Sequence, residues 1–239
     1  MALSGSYNYT QSVSRADVIE AAYKAIGMVA KGDDPSANET ADAVVTLNLM
    51  LKSAQGPPSY WARGLKLWKR ERIEVTLVAD QVSYSLKPSG GDEDVEIPIR
   101  ILSALRRNSS DEDTPMEQIN LAQYESIPSK SAEGSPSKFY YERRLTEGKL
   151  YLDCAPADTT ETVELVVQYP LNDMDAAANT FDFPPEWFEA VKYNLAVRLA
   201  AENGIPVSQD LAILAQSSVE AANSFDQEET DLYFEPGRD

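Results

Sequence analysis

Histidine is absent from this chain of 239 residues, and cysteine occurs once, at Cys154. The first absence excludes Ser-His-Asp and Cys-His hydrolases and any histidine-ligated metal centre. The second excludes a disulfide within the chain and a cysteine-rich zinc site, so the chain suits a reducing compartment and needs no oxidising one. Basic residues are scarce: 21 Lys and Arg face 39 Asp and Glu, giving a formal net charge of −18. Such an excess of acid argues against wrapping nucleic acid through phosphate contacts. No run of about 18 apolar residues occurs, so no membrane span is expected. Met1–Thr10 lacks the basic and apolar regions of a signal peptide. No internal repeat of fixed period is visible. The length suits one large domain or two small ones.

Periodicity divides the chain into helix, strand and helix again. Ser14-Arg15-Ala16-Asp17 has the form of a capping box with Asp in place of Glu. Val18, Ile19, Ala22, Ile26 and Val29 then recur on one helical face, up to Gly32 and Pro35. A second box, Ser36 to Glu39, opens a helix with Ala41, Val44, Leu47 and Leu51 inward, stopped by Gly56-Pro57-Pro58. After the aromatic stretch Tyr60–Trp68 the period becomes two. Ile73, Val75 and Leu77, then Val82, Tyr84 and Leu86, predict a β-hairpin around Ala79-Asp80-Gln81. Further strands are expected at Ile99–Leu105, Lys138–Arg144, Lys149–Asp153 and Thr162–Tyr169, with a short strand and one helical turn in Met116–Tyr124. The middle of the chain thus predicts about six or seven antiparallel strands. Phe183-Pro184-Pro185-Glu186 then places proline where a helix start tolerates its missing N–H. Trp187, Phe188, Val191, Leu195, Leu199 and Ala200 follow at helical spacing, and Asn203-Gly204 is a C-cap signal. A last helix in Pro206–Phe225 is expected to turn Leu211, Leu214, Ala215, Val219 and Ala222 inward.

The expected fold class is α+β. Residues 14–58 and 184–225 would form a four-helix bundle-like core, and residues 59–183 an inserted antiparallel β-domain. Residues 1–13 read as an N-terminal arm and 226–239 as an extended acidic tail.

Several clusters invite a functional reading. Asp173 and Asp175 form a D-x-D that can bind Mg²⁺ or Ca²⁺ or serve as a polar linker; no calcium-loop pattern follows, and the linker reading is preferred. A glycosidase acid pair stays open, because among 39 acids some pair always looks suitable. Gly90-Gly91-Asp92-Glu93-Asp94 has the glycines of a phosphate loop, but its acids would repel phosphate. It reads as a solvated connection. Lys66, Lys69, Arg70 and Arg72 lie among Trp61, Leu67 and Trp68. Basic and aromatic residues together can bind single-stranded nucleic acid, or the tryptophans are core anchors with surface cations. The functional alternative preferred for Trp61, Lys66, Trp68, Lys69 and Arg70 is a contact with an acidic protein neighbour. Arg106-Arg107 and Arg143-Arg144 sit at strand ends, and Cys154 reads as a small buried hydrophobe. In the acidic tail, Asp231, Leu232, Tyr233, Phe234, Glu235 and Pro236 place an apolar triplet among charges, a pattern suited to a partner groove. No catalytic residue, metal or cofactor is assigned.

Phe181-Asp182-Phe183-Pro184-Pro185-Glu186-Trp187-Phe188-Glu189-Ala190 and Tyr193-Asn194-Leu195-Ala196-Val197-Arg198-Leu199-Ala200 resemble the head-to-tail adaptor family of tailed bacteriophages, also called tail accessory factors, packaged-DNA stabilisation proteins or tail tubular protein A. Ala25-Ile26-Gly27, Leu47–Lys52, Leu67-Trp68-Lys69-Arg70, Gly134–Ser137 with Tyr140-Tyr141-Glu142, Leu150–Leu152 and Thr162–Pro170 agree in the same order. The resemblance spans Ser14 to Phe225. It implies a non-enzymatic structural protein of the virion neck, made in the host cytoplasm. It implies a twelve-fold ring beneath the portal protein that extends the DNA channel and carries tail, nozzle or further connector proteins. In related adaptors a C-terminal segment docks on the portal, which suits the tail here. An acidic channel wall would let DNA slide without adhering. The competing readings are a carboxylate-dependent cell-wall polysaccharide hydrolase and a monomeric acidic binding protein.

Overall fold

A computed structural model of the chain describes residues 13–54, 69–157 and 159–225. The fold is mixed α+β, and the chain divides into two compact units, one of Met1–Lys66 with Asn172–Asp239 and one of Leu67–Leu171. Five α-helices occur among the described residues: α1 (Arg15–Ala25), α2 (Ala37–Ala54), α3 (Leu121–Glu125), α4 (Phe188–Glu202) and α5 (Gln209–Phe225). All but α3 belong to the first unit.

Both N-terminal capping boxes form. The Asp17 N–H donates to Ser14 Oγ at 3.3 Å, and the Ser14 N–H donates to Asp17 Oδ2 at 2.8 Å. Ser36 and Glu39 repeat the exchange ahead of α2 at 3.3 and 2.7 Å. Each box satisfies two donors that a helix start leaves unpaired. These bonds favour the ionised acids and hold the Asp17 and Glu39 pKa values below their ordinary 3.8 and 4.5. A lowered folded pKa gives stability that is complete above the unfolded value and disappears as pH falls through the folded one. The first turns of α1 and α2 are therefore expected to lose amide protection below about pH 4. Asp17→Asn should remove that acid-dependent step in α1 when exchange is followed against pH.

α1 ends earlier than the sequence spacing suggests. Gly27 adopts φ 75° after the cap at Ile26, so Ile26 and Val29 lie past the helix and only half-buried. The inward face of α2 is Ala43, Leu47, Met50 and Leu51, while Ala41, expected inward, is exposed. α4 carries the most buried face, with Ala190, Val191, Leu195, Ala196, Leu199 and Ala200 all at 0% exposure, and it packs against α1, α2 and α5. In α5, Leu211, Ala215, Val219 and Ala222 point inward, but Leu214 is 41% exposed. Leu214 sits three residues after Leu211, and the contact with α4 runs instead through Ala215, whose carbonyl accepts Asn194 Nδ2 at 3.0 Å.

The segment that precedes α4 is clasped by the helices. Asn48 Oδ1 accepts the Met174 N–H at 2.8 Å, and Arg15 Nη1 donates to the Met174 carbonyl at 2.8 Å. The Met174 side chain is 1% exposed. A single 3-10 turn, Pro185–Trp187, has proline in its first positions and leads directly into α4.

Among its described residues the second unit contains eleven strands: β1 (Arg70–Thr76), β2 (Ser83–Lys87), β3 (Glu93–Asp94), β4 (Arg100–Arg107), β5 (Asp113–Pro115), β6 (Glu117–Gln118), β7 (Glu133–Gly134), β8 (Lys138–Arg143), β9 (Gly148–Leu152), β10 (Ala155–Pro156) and β11 (Thr162–Gln168). They form sheets of order β1-β11-β4-β5, β3-β2-β9-β8-β6 and β10-β7. The expected hairpin of β1 with β2 is not formed. β1 pairs with β11, Ile73 opposite Leu165, and β2 pairs with β9, Tyr84 opposite Leu150. Asp80 at φ 63° turns the chain from one sheet to the other, and the Val78 N–H donates to Tyr84 Oη at 2.9 Å across that turn. Both strands still send their alternate residues into one core with Phe139, Leu150, Val163, Leu165 and Val167. Nor are all the strands antiparallel. β2–β3, β6–β8 and β7–β10 pair in parallel through two-residue contacts, which a period-two pattern cannot reveal.

Candidate functional site

Trp61, Lys66 and Trp68 lie outside the described residues, as do Asp231, Leu232, Tyr233, Phe234, Glu235 and Pro236 of the tail. The remaining members of the basic cluster are on or beside β1. Lys69 Nζ donates to both Glu96 carboxylate oxygens, at 2.8 and 2.9 Å, and lies 6.0 Å from the centre of the Tyr169 ring. Arg70 opens β1 with an exposed side chain, and Arg72 meets Glu164 at 2.5 Å. Lys69 and Arg72 are met by acids of their own unit. Exposed pairs of this kind add little stability, because solvent screens them.

The acidic clusters do local structural work. Asp173 pairs with Lys52 at 3.0 Å, and Asp175 Oδ1 accepts Asn179 Nδ2 at 2.7 Å. Asp92 accepts the Ser85 N–H at 2.6 Å and Gln81 Nε2 at 2.8 Å, so the Gly90–Asp94 loop is bound onto β2. A Cβ on Gly91 would stand 2.7 Å from the Ser85 carbonyl and 2.8 Å from that of Glu93, closer than real contacts allow. Among the described residues no group of three acids or cysteines is placed to hold a metal ion. Burial, followed by the charge of Asp153, raises the Cys154 thiol pKa, so the thiolate is disfavoured. Hydrogen bonds lower the pKa values of Asp17, Glu39, Asp113 and Glu147. A general acid needs the opposite shift.

The helical unit presents a different feature, one the sequence reading missed. A groove of about 370 Å³ is lined by Tyr23, Glu39, Asp42, Val45, Thr46, Leu49, Glu202 and Asn203. Val45 and Leu49, four residues apart and so on one side of α2, are 59% and 64% exposed. Thr46 Oγ1 donates to Glu202 at 2.8 Å, and Tyr23 Oη donates to the Glu39 carbonyl at 2.8 Å. Burial and then the charges of Glu39, Asp42 and Glu202 push the Tyr23 pKa up. The groove thus combines an apolar floor with three acids and holds no cation in its lining. The available signal was two β-branched or aliphatic residues at i, i+4 outside the inward stripe, a pattern that marks a second helix face.

Over residues 16–238 the sequence matches the family SU10 adaptor protein. The chain belongs to that family, a phage head-to-tail adaptor family, which makes it a structural component of the virion. No curated protein matches it. No described helix is long and apolar enough to cross a membrane.

Proposed function

We propose that the chain forms a twelve-fold ring beneath the portal, where it extends the DNA channel and supplies the platform for tail, nozzle or further connector proteins. The match to the adaptor family over residues 16–238 carries this reading. In it, α1, α2, α4 and α5 act as one bundle-like core, which their mutual packing around α4 supports. Residues 59–183 act as the β-rich insertion between its halves. The tail, through Asp231–Pro236, docks on the portal, its apolar triplet in a groove and its acids against basic residues. The net charge of −18 per copy gives the channel a wall that repels DNA phosphates, so DNA slides without specific binding. The role is mechanical and uses no cofactor. Hydrogen bonds hold Asp17, Glu39, Asp113 and Glu147 below their ordinary pKa values, the opposite of what a hydrolase acid requires, and they lend no support to the polysaccharide hydrolase.

Sedimentation of the full chain with its portal tests the proposal, alongside a truncation ending at Phe225. The full chain is expected to co-sediment in equal copies with portal, and the truncation to bind at least tenfold more weakly, a loss of about 1.4 kcal/mol. Undiminished binding by the truncation removes the tail from the contact. A full chain that ignores the portal overturns the adaptor assignment.

A further inference from the structure

The acids of this chain are unevenly spread. None of its 39 Asp and Glu falls between Ala43 and Arg70. That stretch holds Arg63, Lys66, Lys69 and Arg70 and two of the three tryptophans, Trp61 and Trp68. Lys69 already meets Glu96 and Arg70 belongs to β1, which leaves Arg63 and Lys66, each two residues from a tryptophan. The α2 groove has the complementary chemistry. Val45 and Leu49 offer an apolar floor, while Glu39, Asp42 and Glu202 surround it with negative charge that is already felt by Tyr23.

We propose that the α2 groove of one copy receives the Tyr60–Trp68 segment of a second copy of this chain, an aromatic side chain on Val45 and Leu49 and Arg63 or Lys66 against Asp42 and its acidic neighbours. This rests on the reading that copies of the chain meet side to side. Three considerations select this occupant. Copies that each carry −18 repel one another, so a stable contact between them must bring the scarce cations onto acids. Aromatic residues and arginine supply most anchors in protein interfaces, and this segment concentrates both. Two different patches that meet make a heterologous contact, the kind that repeats around a closed ring. A volume of about 370 Å³ holds one or two large side chains, which suits an anchor residue more than a docked helix.

The test uses the full chain with a photo-cross-linking benzoylphenylalanine at position 49, a site exposed enough to accept it. Isotopically light and heavy copies are mixed, assembled with and without portal, irradiated and digested. Cross-links from position 49 to peptides covering 57–70, in mixed light–heavy pairs, are expected. Links only within light or within heavy copies would place a chain's own segment in its groove and overturn the proposal. Links only to portal, or to other parts of the chain, would overturn it as well. In parallel, Asp42→Lys and the joint variant Arg63→Glu with Lys66→Glu are each expected to weaken association between copies about tenfold, and combining all three changes to restore most of it. Normal association of Asp42→Lys or of the joint variant would overturn the proposal. Portal binding separates the two readings. Copies that pair through the groove yet ignore the portal uphold this contact and defeat the adaptor role, whereas a portal-bound ring with position 49 linked elsewhere does the reverse.

Discussion

The Trp187→Ala variant is expected to lose its helical unit well before its β-rich unit. Trp187 is the largest fully buried side chain among the described residues, at 1% exposure. It sits in the 3-10 turn that feeds α4, and that turn packs on both α4 and α5. Removing an indole from such a place costs about 3–5 kcal/mol, the lost transfer energy plus the cavity left behind. Native domains hold only about 5–15 kcal/mol in total, so the loss removes a large share of the unit's stability. Hydrogen exchange read by mass spectrometry in moderate urea distinguishes the units. α1, α4 and α5 should exchange orders of magnitude faster in the variant, while β1, β4 and β11 keep their protection. Trp187→Phe should recover most of the loss. Equal deprotection of helices and strands would show instead that the chain unfolds as one cooperative body.

That variant rests on a helix start that the sequence displays openly. Pro184-Pro185 before a periodic apolar run signals a helix N-terminus by backbone chemistry alone, and the buried face of α4 follows its spacing. Ser14–Asp17 and Ser36–Glu39 were equally legible, because a capping box is a local exchange of two hydrogen bonds within four residues. Asn203 and Gly204, with Gly204 at φ 67°, end α4 as their types indicate. The β11 residues Val163, Leu165 and Val167, all at 0% exposure, also follow from their alternation.

What stayed hidden was non-local. Alternation in Ile73–Leu77 and Val82–Leu86 shows which residues face a core, but not whether two neighbouring strands pair with each other or face each other across it. The turn at Asp80 decides that, and a non-glycine residue at positive φ is uncommon enough that its sequence gives little warning. The two-residue strands β3, β6, β7 and β10 have no period to read. On α2 and α5 the apolar residues outnumber those one face can bury. Val45, Leu49, Ile213 and Leu214 therefore remain outside, and the sequence does not rank them. The groove was illegible for the same reason, since Tyr23, Asp42, Leu49 and Glu202 come from three helices and meet only once α1, α2 and α4 have packed.

Glu161→Leu is expected to be among the most damaging single changes in the β-rich unit. Glu161 lies just before β11 with its side chain 9% exposed, and its Oε1 is 3.6 Å from Nε of Arg106, whose side chain is 17% exposed on β4. Arg106 Nη1 donates to the Pro136 carbonyl at 3.2 Å, but Arg106 Nε and Glu161 Oε2 have no hydrogen-bond partner. The pair is therefore held by charge at the edge of the core, with incomplete geometry. Two charges taken out of water attract strongly, yet their desolvation can exceed that gain when hydrogen bonds are missing. Removing one partner leaves the other buried and uncompensated, at a cost of about 3–5 kcal/mol. Replacing both by apolar residues removes the two desolvation penalties together. Urea unfolding of Glu161→Leu, Arg106→Met and the double variant should thus give two large losses and a double variant within about 1 kcal/mol of the parent, a coupling that additive sites do not show. A double variant as unstable as the sum of the singles would mean that the two side chains stabilise the sheet independently, Arg106 through Pro136 and Glu161 through its own surroundings.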